Sequence, residues 1–499
     1  MKAMAARKAR TTMSRVIVLG AGVAGHTAAL TLRRKLGNQH EVIVVSPNSQ
    51  WNWIPSNIWV GVGRMTREAV VFPLAPVYKR KRITFHQAKA TAIWPNGDAD
   101  SAQGAVDIEY TEPGRDGQTE RVRYDFLINA TGPALDFAAT PGLGPDAGYT
   151  ASVCTPGHAV DAAARLDAAI ERARTGEKLR LVVGVGHGRC TCEGAAFEYA
   201  FNVEQKLEQE GVRDNTEVVY LSNEPELGDF GVGGMSFRTK HGDVSGEQWM
   251  SSLFRERGIR AITRAAVTAV EPQTIRYVQE DGSPQSLPFD FAMLLPPFRG
   301  VALRAYDRDG ADISQRFFAP SGFMKVDADY SPKPYSQWSA KDWPSTYQVP
   351  GYPNMFAVGI AFAPPHAISE PLSTPDGVAI APAPPRTGMP SGAMGKAAAL
   401  NIAEMIRTGT SVTQHSASMA DLPAACIAST GTGFARGSAV AMTMAPIVPD
   451  FQARPLTHGR DADHTTGEVG LAAHWLKRML HTAFLYKAKA YPLWYLIPE

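Results

Sequence analysis

The sequence predicts an α/β protein carrying two Rossmann-like, dinucleotide-binding folds, and three observations carry that reading. The stretch "RVIVLGAGVAGHTAALTLRRKL" (15–36) is an apolar strand, the turn Gly20-x-Gly22-x-x-Gly25, and a helix with small residues toward the strand. A Gly-rich turn that closes a strand and opens a helix lets backbone N–H groups approach a pyrophosphate, and that context makes it far more specific than the bare pattern. The stretch "LVVGVGHGRCTCEGAAFEYAF" (181–201) repeats the plan, except that its turn ends in Cys190 and Cys192. The third observation is size: 499 residues, 44% hydrophobic and 20% charged, describe a globular chain too long for one core.

The remaining composition excludes several classes. A net charge of +2 implies no nucleic-acid partner. Four cysteines in such a chain do not form a disulfide framework. No run of 18 or more apolar residues predicts a spanning helix. The start, "MKAMAARKARTTMS", is basic without an apolar stretch, so it reads as a tail rather than a secretory signal.

Along the chain, "HEVIVVS" (40–46) supplies the second strand. Its end, where an acid would meet a ribose, is Ser46 followed by Pro47, leaving that contact to the Ser46 hydroxyl and nearby backbone. In "YDFLINATGP" (124–133), Ala130, Thr131 and Gly132 are small enough to let the chain pass close to a bound cofactor. Another apolar strand, "NMFAVGIA" (354–361), ends at Gly359 and Ile360. A strand-rich stretch spans about 83–123 and includes Ala90, and the second βαβ unit spans about 179–221. "DGVAIAPAPPRTGMPSG" is punctuated by Pro and Gly and predicts a loop, followed by a helix over 393–406.

The cysteines need separate explanations. Cys192 stands where a helix begins, and free N–H groups there favour a thiolate. Cys154 precedes Thr155, a good N-cap, and Pro156, which suits the first helical position, with His158 one turn on. Cys426 lies in a strand before a Gly turn. Against this, a free Cys is most often a small buried hydrophobe. Two thiols at helix starts, one inside a cofactor-type cradle, favour reactive sulfur; Cys190 is the weakest case. No second ligand pair follows at zinc spacing, so no metal site is expected.

The order of these pieces resembles the two-dinucleotide-binding-domain flavoproteins, and the finer pattern resembles sulfide:quinone oxidoreductases. "WIPSNIWVGVG" (53–63), "SVCTPGHA" (152–159), "CEGAAFEYA" (192–200), "SNEPELGDFGVGG" (222–234), "MLLPPFRG" (293–300), "FAVGIAFAPP" (356–365), "PRTGM" (385–389) and "AACIASTGTGFA" (424–435) carry the likeness, in order, from about residue 15 to the C-terminus. The resemblance implies an FAD domain split over 14–150 and 340–412, a second Rossmann-like domain inserted at 151–339, and a C-terminal region over 413–499. It implies non-covalent FAD held by Gly20, Gly22, Ala24, Gly25, Ser46, Pro55, Asn57, Ala90, Ala130, Thr131, Gly132, Gly359, Ile360, Arg386, Thr387 and Gly388. By matched position, Cys154, Cys192 and Cys426 correspond to the family's functional cysteines, with His158 and Glu198 as candidate proton carriers. Sulfide would attack a Cys192–Cys426 disulfide or sulfur-bridged link beside the flavin. Electrons would pass through FAD to ubiquinone or menaquinone, and sulfur would leave as polysulfide, persulfide or zero-valent sulfur.

Some positions depart from the pattern. Asp229 stands where a His is common, Arg386 replaces a Lys, and Gly392 lies where a Glu is usual. Cys190 is an addition. These departures bear on proton paths and flavin tuning more than on the reaction.

The C-terminal "GLAAHWLKRMLHTAFLYKAKAYPLWYLIPE" has Ala472, Leu476, Leu480 and Phe484 at helical spacing, with basic and aromatic residues between them. On spacing alone, this is a helix packed on the protein or on another subunit. With the resemblance it becomes an amphipathic helix at a membrane surface, where a lipid-soluble quinone must reach the flavin, with Phe484 as the stacking candidate. The resemblance thus implies a peripheral protein of the bacterial cytoplasmic membrane and a homo-oligomer. The rival readings are a type II NADH:quinone oxidoreductase, whose second turn would bind NADH, the flavin subunit of flavocytochrome c sulfide dehydrogenase, and a non-catalytic flavin redox sensor.

Overall fold

The computed structural model describes residues 13–499 apart from Cys192, Lys240, His241, Thr387, 432–434 and Arg436. One sheet has five parallel strands in the order Tyr352–Ala357, Phe126–Asn129, Arg15–Leu19, Glu41–Ser46 and Thr84–Trp94. Antiparallel strands Ala105–Tyr110 and Thr119–Arg123 extend it. Its central strands are nearly continuous Val, Ile and Leu because both faces are covered: Val16, Ile17, Val18 and Leu19 are all fully buried. The helix Val23–Leu36 crosses one face and meets the helix Met389–Thr408 backbone to backbone. A Cβ built on Gly395 would lie 2.2 Å from the carbonyl oxygen of Ala24, so only glycine permits that approach.

A second, four-stranded parallel sheet runs Ile259–Ile262, Thr216–Leu221, Leu179–Val185, Phe291–Leu295. All its strands fall in sequence between Phe126–Asn129 and Tyr352–Ala357 of the first sheet. The helix Glu193–Gln209 links Leu179–Val185 to Thr216–Leu221. Towards the C-terminus, three antiparallel strands, Ala424–Ser429, Ala439–Met444 and Thr466–Gly470, lead into the helix Leu471–Ala488.

Two elements differ from the sequence reading. The helix expected over 393–406 starts earlier, at Met389, inside the Pro/Gly-rich segment. Gly388, at φ +61°, provides the entry, and Pro390 sits in the first turn, where its missing N–H costs nothing. The C-terminal helix is turned differently from its apolar stripe. Ala472 and Leu476 are exposed, whereas Ala473, His474, Lys477, Lys487 and Ala488 are buried. Lys477 and Lys487 can go inside because each meets a carboxylate, Glu198 and Glu499 respectively. Trp475, Leu476, Met479 and Tyr486 face outward. Among the described residues, no helix is long and apolar enough to cross a membrane.

Candidate active site

The first Gly-rich turn is shaped by close backbone contact. Gly20 has φ +92°, and a Cβ there would lie 2.1 Å from the Ala130 carbonyl oxygen. A Cβ on Gly25 would lie 2.0 Å from the carbonyl oxygen of Gly20. On the other side the cradle is open: added Cβ atoms on Gly22, Gly132 or Gly388 meet nothing within 4 Å. Gly22 caps the helix Val23–Leu36, whose N–H groups suit a pyrophosphate. Thr131 is held by Asn129, its Oγ1 donating at 2.8 Å. The buried indole N–H of Trp51 has no partner among the described residues. An open cradle at three glycines beside a helix start fits a dinucleotide such as FAD.

Other expected cofactor residues are tied into the protein. Ser46 is buried at its strand end, where its Oγ accepts from the Asn48 N–H at 3.4 Å. Ala90 lies at a register shift in Thr84–Trp94. Pro55 is half-buried in the turn Ile54–Ser56. Arg386 donates to the carbonyls of Ile360 and Phe362 and lies over the rings of Phe323 and Phe362. It thereby ties the P-R-T-G segment to the turn at Gly359 and Ile360. Thr387 lies outside the described residues.

The second Gly turn is covered by the chain itself. The Ala381 N–H donates to the Gly188 carbonyl at 2.8 Å, and the Ala383 N–H to that of Cys190 at 2.7 Å. A Cβ on Gly188 would lie 1.9 Å from the Ala379 carbonyl oxygen. Carboxylates crowd the same corner. Glu193 is fully buried, and burial, then Glu224, pushes its carboxyl well above the ordinary range. Glu224, also buried, is pushed up to about 7. Asp229, raised by burial, accepts from the Ser369 hydroxyl. Cys190 is buried and donates to the Leu295 carbonyl at 3.2 Å. A turn roofed by its own chain and backed by carboxyl groups does not suit a pyrophosphate.

The sulfur-bearing segments converge on the helix Glu193–Gln209. Cys426 Sγ lies 3.5 Å from where a Cβ on Gly194 would stand, so it faces the first turn of the helix that follows Cys192. Cys192 itself lies outside the described residues. The short helix Asn57–Gly61 connects the other pieces. Asn57 donates to the Val153 carbonyl at 3.2 Å, next to Cys154, and Trp59 Nε1 donates to Ser429 Oγ at 2.8 Å, in the strand of Cys426. Thr155 caps the helix Pro156–Arg174 through the His158 N–H at 3.1 Å, as its residue type predicts. The His158 ring lies near Asp146, at 3.8 Å, and edge-on to Phe137.

Cys154 does not carry the depressed pKa that its place beside a helix start suggests. Burial pushes Cys154 up to about 11, with the Ser152 hydroxyl pulling the other way. Cys426 is also pushed up to about 11 by burial and then by Glu198, with Lys477 opposing. Cys154 precedes its N-cap, where the helix field is weak, and desolvation outweighs it.

Lys477 is the residue the sequence reading missed. Read only as one of the basic residues interspersed along the C-terminal helix, it is buried, with its Nζ bonded to Glu198 Oε1 and, at 2.7 Å, to the Ile427 carbonyl. The same Glu198 oxygen accepts from the Ser429 N–H at 3.0 Å and Oγ at 2.7 Å. The signal lay in the spacing of Lys477 from His474 and Ala473 on one helical face. Beyond it, Ser56 and His481 pair at 2.9 Å, and Phe484 stacks on Trp53 at 4.7 Å and 12°.

Comparison with known proteins bears on this arrangement. Residues 14–295, more than half the chain, match the family model described as pyridine nucleotide-disulphide oxidoreductase. The chain belongs to this family. Within it, the chain is 28% identical over 476 residues to a sulfide-quinone reductase of Aquifex aeolicus (strain VF5), covering 95% of this chain and 91% of that one. It is also similar to the X-ray structure of the Aquifex aeolicus sulfide:quinone oxidoreductase, with TM-score 0.72, 25% identity and coverage of 96% and 92%. A structure of NDH2 from Plasmodium falciparum in complex with RYL-552 shares the fold at TM-score 0.62 and 11% identity, with 96% of each chain covered. This pyridine nucleotide-disulphide oxidoreductase is therefore a Rossmann-type α/β oxidoreductase.

The buried pair predicts a stability pattern. Lys477→Met leaves Glu198 without its cation and costs about 3 kcal/mol in urea unfolding. Adding Glu198→Leu recovers part of that loss, because the stranded charge is removed. Equal stability of Lys477→Met and the parent would contradict a buried pair.

Proposed function

We propose that the protein is a sulfide:quinone oxidoreductase that binds FAD non-covalently. The observation that carries this is Cys426 facing the first turn of the helix after Cys192, in a family of dinucleotide-binding oxidoreductases. The similarity to sulfide-quinone reductase over nearly the whole chain supports it. The cofactor-binding domain takes 14–150 and 340–412, the inserted domain 151–339, and the C-terminal region 413–499.

The residues divide the work. Sulfide, as HS⁻, attacks the sulfur held at Cys426; a new S–S bond forms as the old one breaks, and the partner thiolate leaves. Bound FAD would supply the two-electron acceptor through which the resulting electron pair reaches quinone. The sulfur is left zero-valent, and Cys154 relays it or opens the site. Lys477 opposes the burial of charge at Cys426, and Glu198 and His158 move protons. Gly22 and the helix start hold the pyrophosphate, Gly132, Gly359 and Gly388 let backbone approach the cofactor, and Arg386 braces that wall. Phe484, stacked on Trp53, stands on the quinone side.

The NADH reading meets a specific obstacle, the roof of 379–383 over Gly188 and Cys190. The region after the second strand, "SPNSQWNWIPSN", lacks a Cys to tie a flavin covalently. A flavin redox sensor would share the thiols but would not turn over.

The outward face of the C-terminal helix supports a reading of membrane attachment. Trp475 is 45% exposed and Met479 58%, with Tyr491, Leu493 and Leu496 exposed nearby. Such a patch on one face suits a peripheral, interfacial contact.

Anaerobic sulfide is expected to bleach the oxidised-flavin band, and a soluble quinone to restore it, while Cys426→Ser abolishes the sulfide step. Bleaching by NADH but not sulfide would overturn this function. Met479→Glu is expected to cut co-sedimentation with anionic phospholipid vesicles several-fold; undiminished binding would place the membrane contact elsewhere.

A further inference from the structure

A narrow pocket between the helix Val23–Leu36 and the C-terminal segment holds charged groups that the sulfur chemistry does not use. His26, Trp51, Gly388, Phe484, Lys487 and Glu499 are among its walls. Lys487 Nζ lies 2.7 Å from Glu499 Oε2 and donates to the Pro498 carbonyl at 2.9 Å. Both side chains are largely enclosed, at 6% and 11% exposure. The ammonium stands 5.9 Å from the centroid of the Phe484 ring.

The surroundings are built for this pair. A Cβ on Gly392 would lie 2.9 Å from Glu499 Oε2, so a glycine at the start of Met389–Thr408 makes room for the carboxylate. Lys396 reaches Glu499 at 3.9 Å from the more exposed side. His26, the other titratable group on the pocket, has no proton to spare. Its Nε2–H donates to the Ala488 carbonyl at 2.7 Å, and its Nδ1 accepts from Tyr78 at 2.8 Å. Burial holds it down at about 4. Enclosing a lysine is costly unless it is paired. Here the enclosed ammonium faces an aromatic wall from which water is largely excluded, and reactions there must draw protons from a side chain.

We propose that Lys487, held in place and charged by Glu499, donates a proton to the quinone reduced beside Phe484. This rests on the quinone-reductase reading above. A quinone becoming a hydroquinone gains two electrons and two protons. Bound reduced flavin would supply the electron pair and one proton; the second proton passes from Lys487 Nζ, left as the neutral amine, to a quinone oxygen. Water reaching the exposed edge of Glu499 and Lys396 returns a proton to Lys487.

The test uses full-length, FAD-loaded protein, Lys487→Met and Glu499→Gln. Sulfide-reduced flavin is reoxidised in anaerobic stopped flow with decylubiquinone or with ferricyanide, which takes electrons without a proton. Decylubiquinone binding to the oxidised protein is read separately from tryptophan fluorescence. Lys487→Met is expected to slow reoxidation by decylubiquinone about tenfold or more, with its binding and the ferricyanide rate unchanged. Glu499→Gln removes the charge that keeps Lys487 protonated, so the alkaline limb of the decylubiquinone rate moves to lower pH. Equal slowing with both acceptors, or loss of binding in step with rate, would reduce the pair to a structural pin and overturn the proposal. Parent-like decylubiquinone rates and pH profiles in both variants would also overturn it, leaving the quinone-reductase reading intact. Failure of decylubiquinone to reoxidise the parent flavin would overturn both.

Discussion

The joint between Lys477 and Glu198 holds together the segments that surround Cys426. The lysine comes from the C-terminal helix, the glutamate from the helix after Cys192, and the same glutamate oxygen takes two hydrogen bonds from Ser429 in the strand of Cys426. Three separate parts of the chain thus meet at one carboxylate. A buried ion pair contributes little net stability against a well-packed apolar alternative, but it tolerates few other arrangements. Its worth here is positional: it sets Cys426 against the first turn at Gly194.

The same pair bears on how the C-terminal helix is turned. Because Lys477 and Lys487 turn inward to their carboxylates, Trp475, Leu476 and Met479 are turned outward. Two lysines thus lie on the inner side while large apolar side chains, beside Arg478, lie on the outer one, and this follows from which lysines have partners. Phe484 lies on the same helix, one turn before the inward-facing Ala488, and stacks on Trp53.

Much of this was legible in sequence because it follows from local rules. The turn needs glycine at Gly20 and Gly25, where an added Cβ would lie near 2 Å from a carbonyl oxygen, and such needs leave a spacing that can be read. Thr155 and Pro156 begin a helix for equally local reasons. The partner of Lys477 was not legible, because Glu198 lies 279 residues away and no periodicity encodes so distant a contact. The thiols show the limit most clearly. Position at a helix start suggested a depressed value for Cys154, but burial, a property of the whole fold, pushes it the other way, as it does Cys426 in its strand. The roof over the second Gly turn was likewise hidden in a Pro/Gly-rich segment that reads only as loop.

The central claim is that sulfide sulfur is taken up at Cys426, and mass spectrometry tests it most directly. The protein would be treated with limiting sulfide without oxygen, its thiols and persulfides capped, and its peptides mapped. The account predicts one added sulfur atom on the peptide holding Cys426, and none on Cys190 once it is resolved from Cys192. Added sulfur on Cys190 with Cys426 unmodified would contradict it.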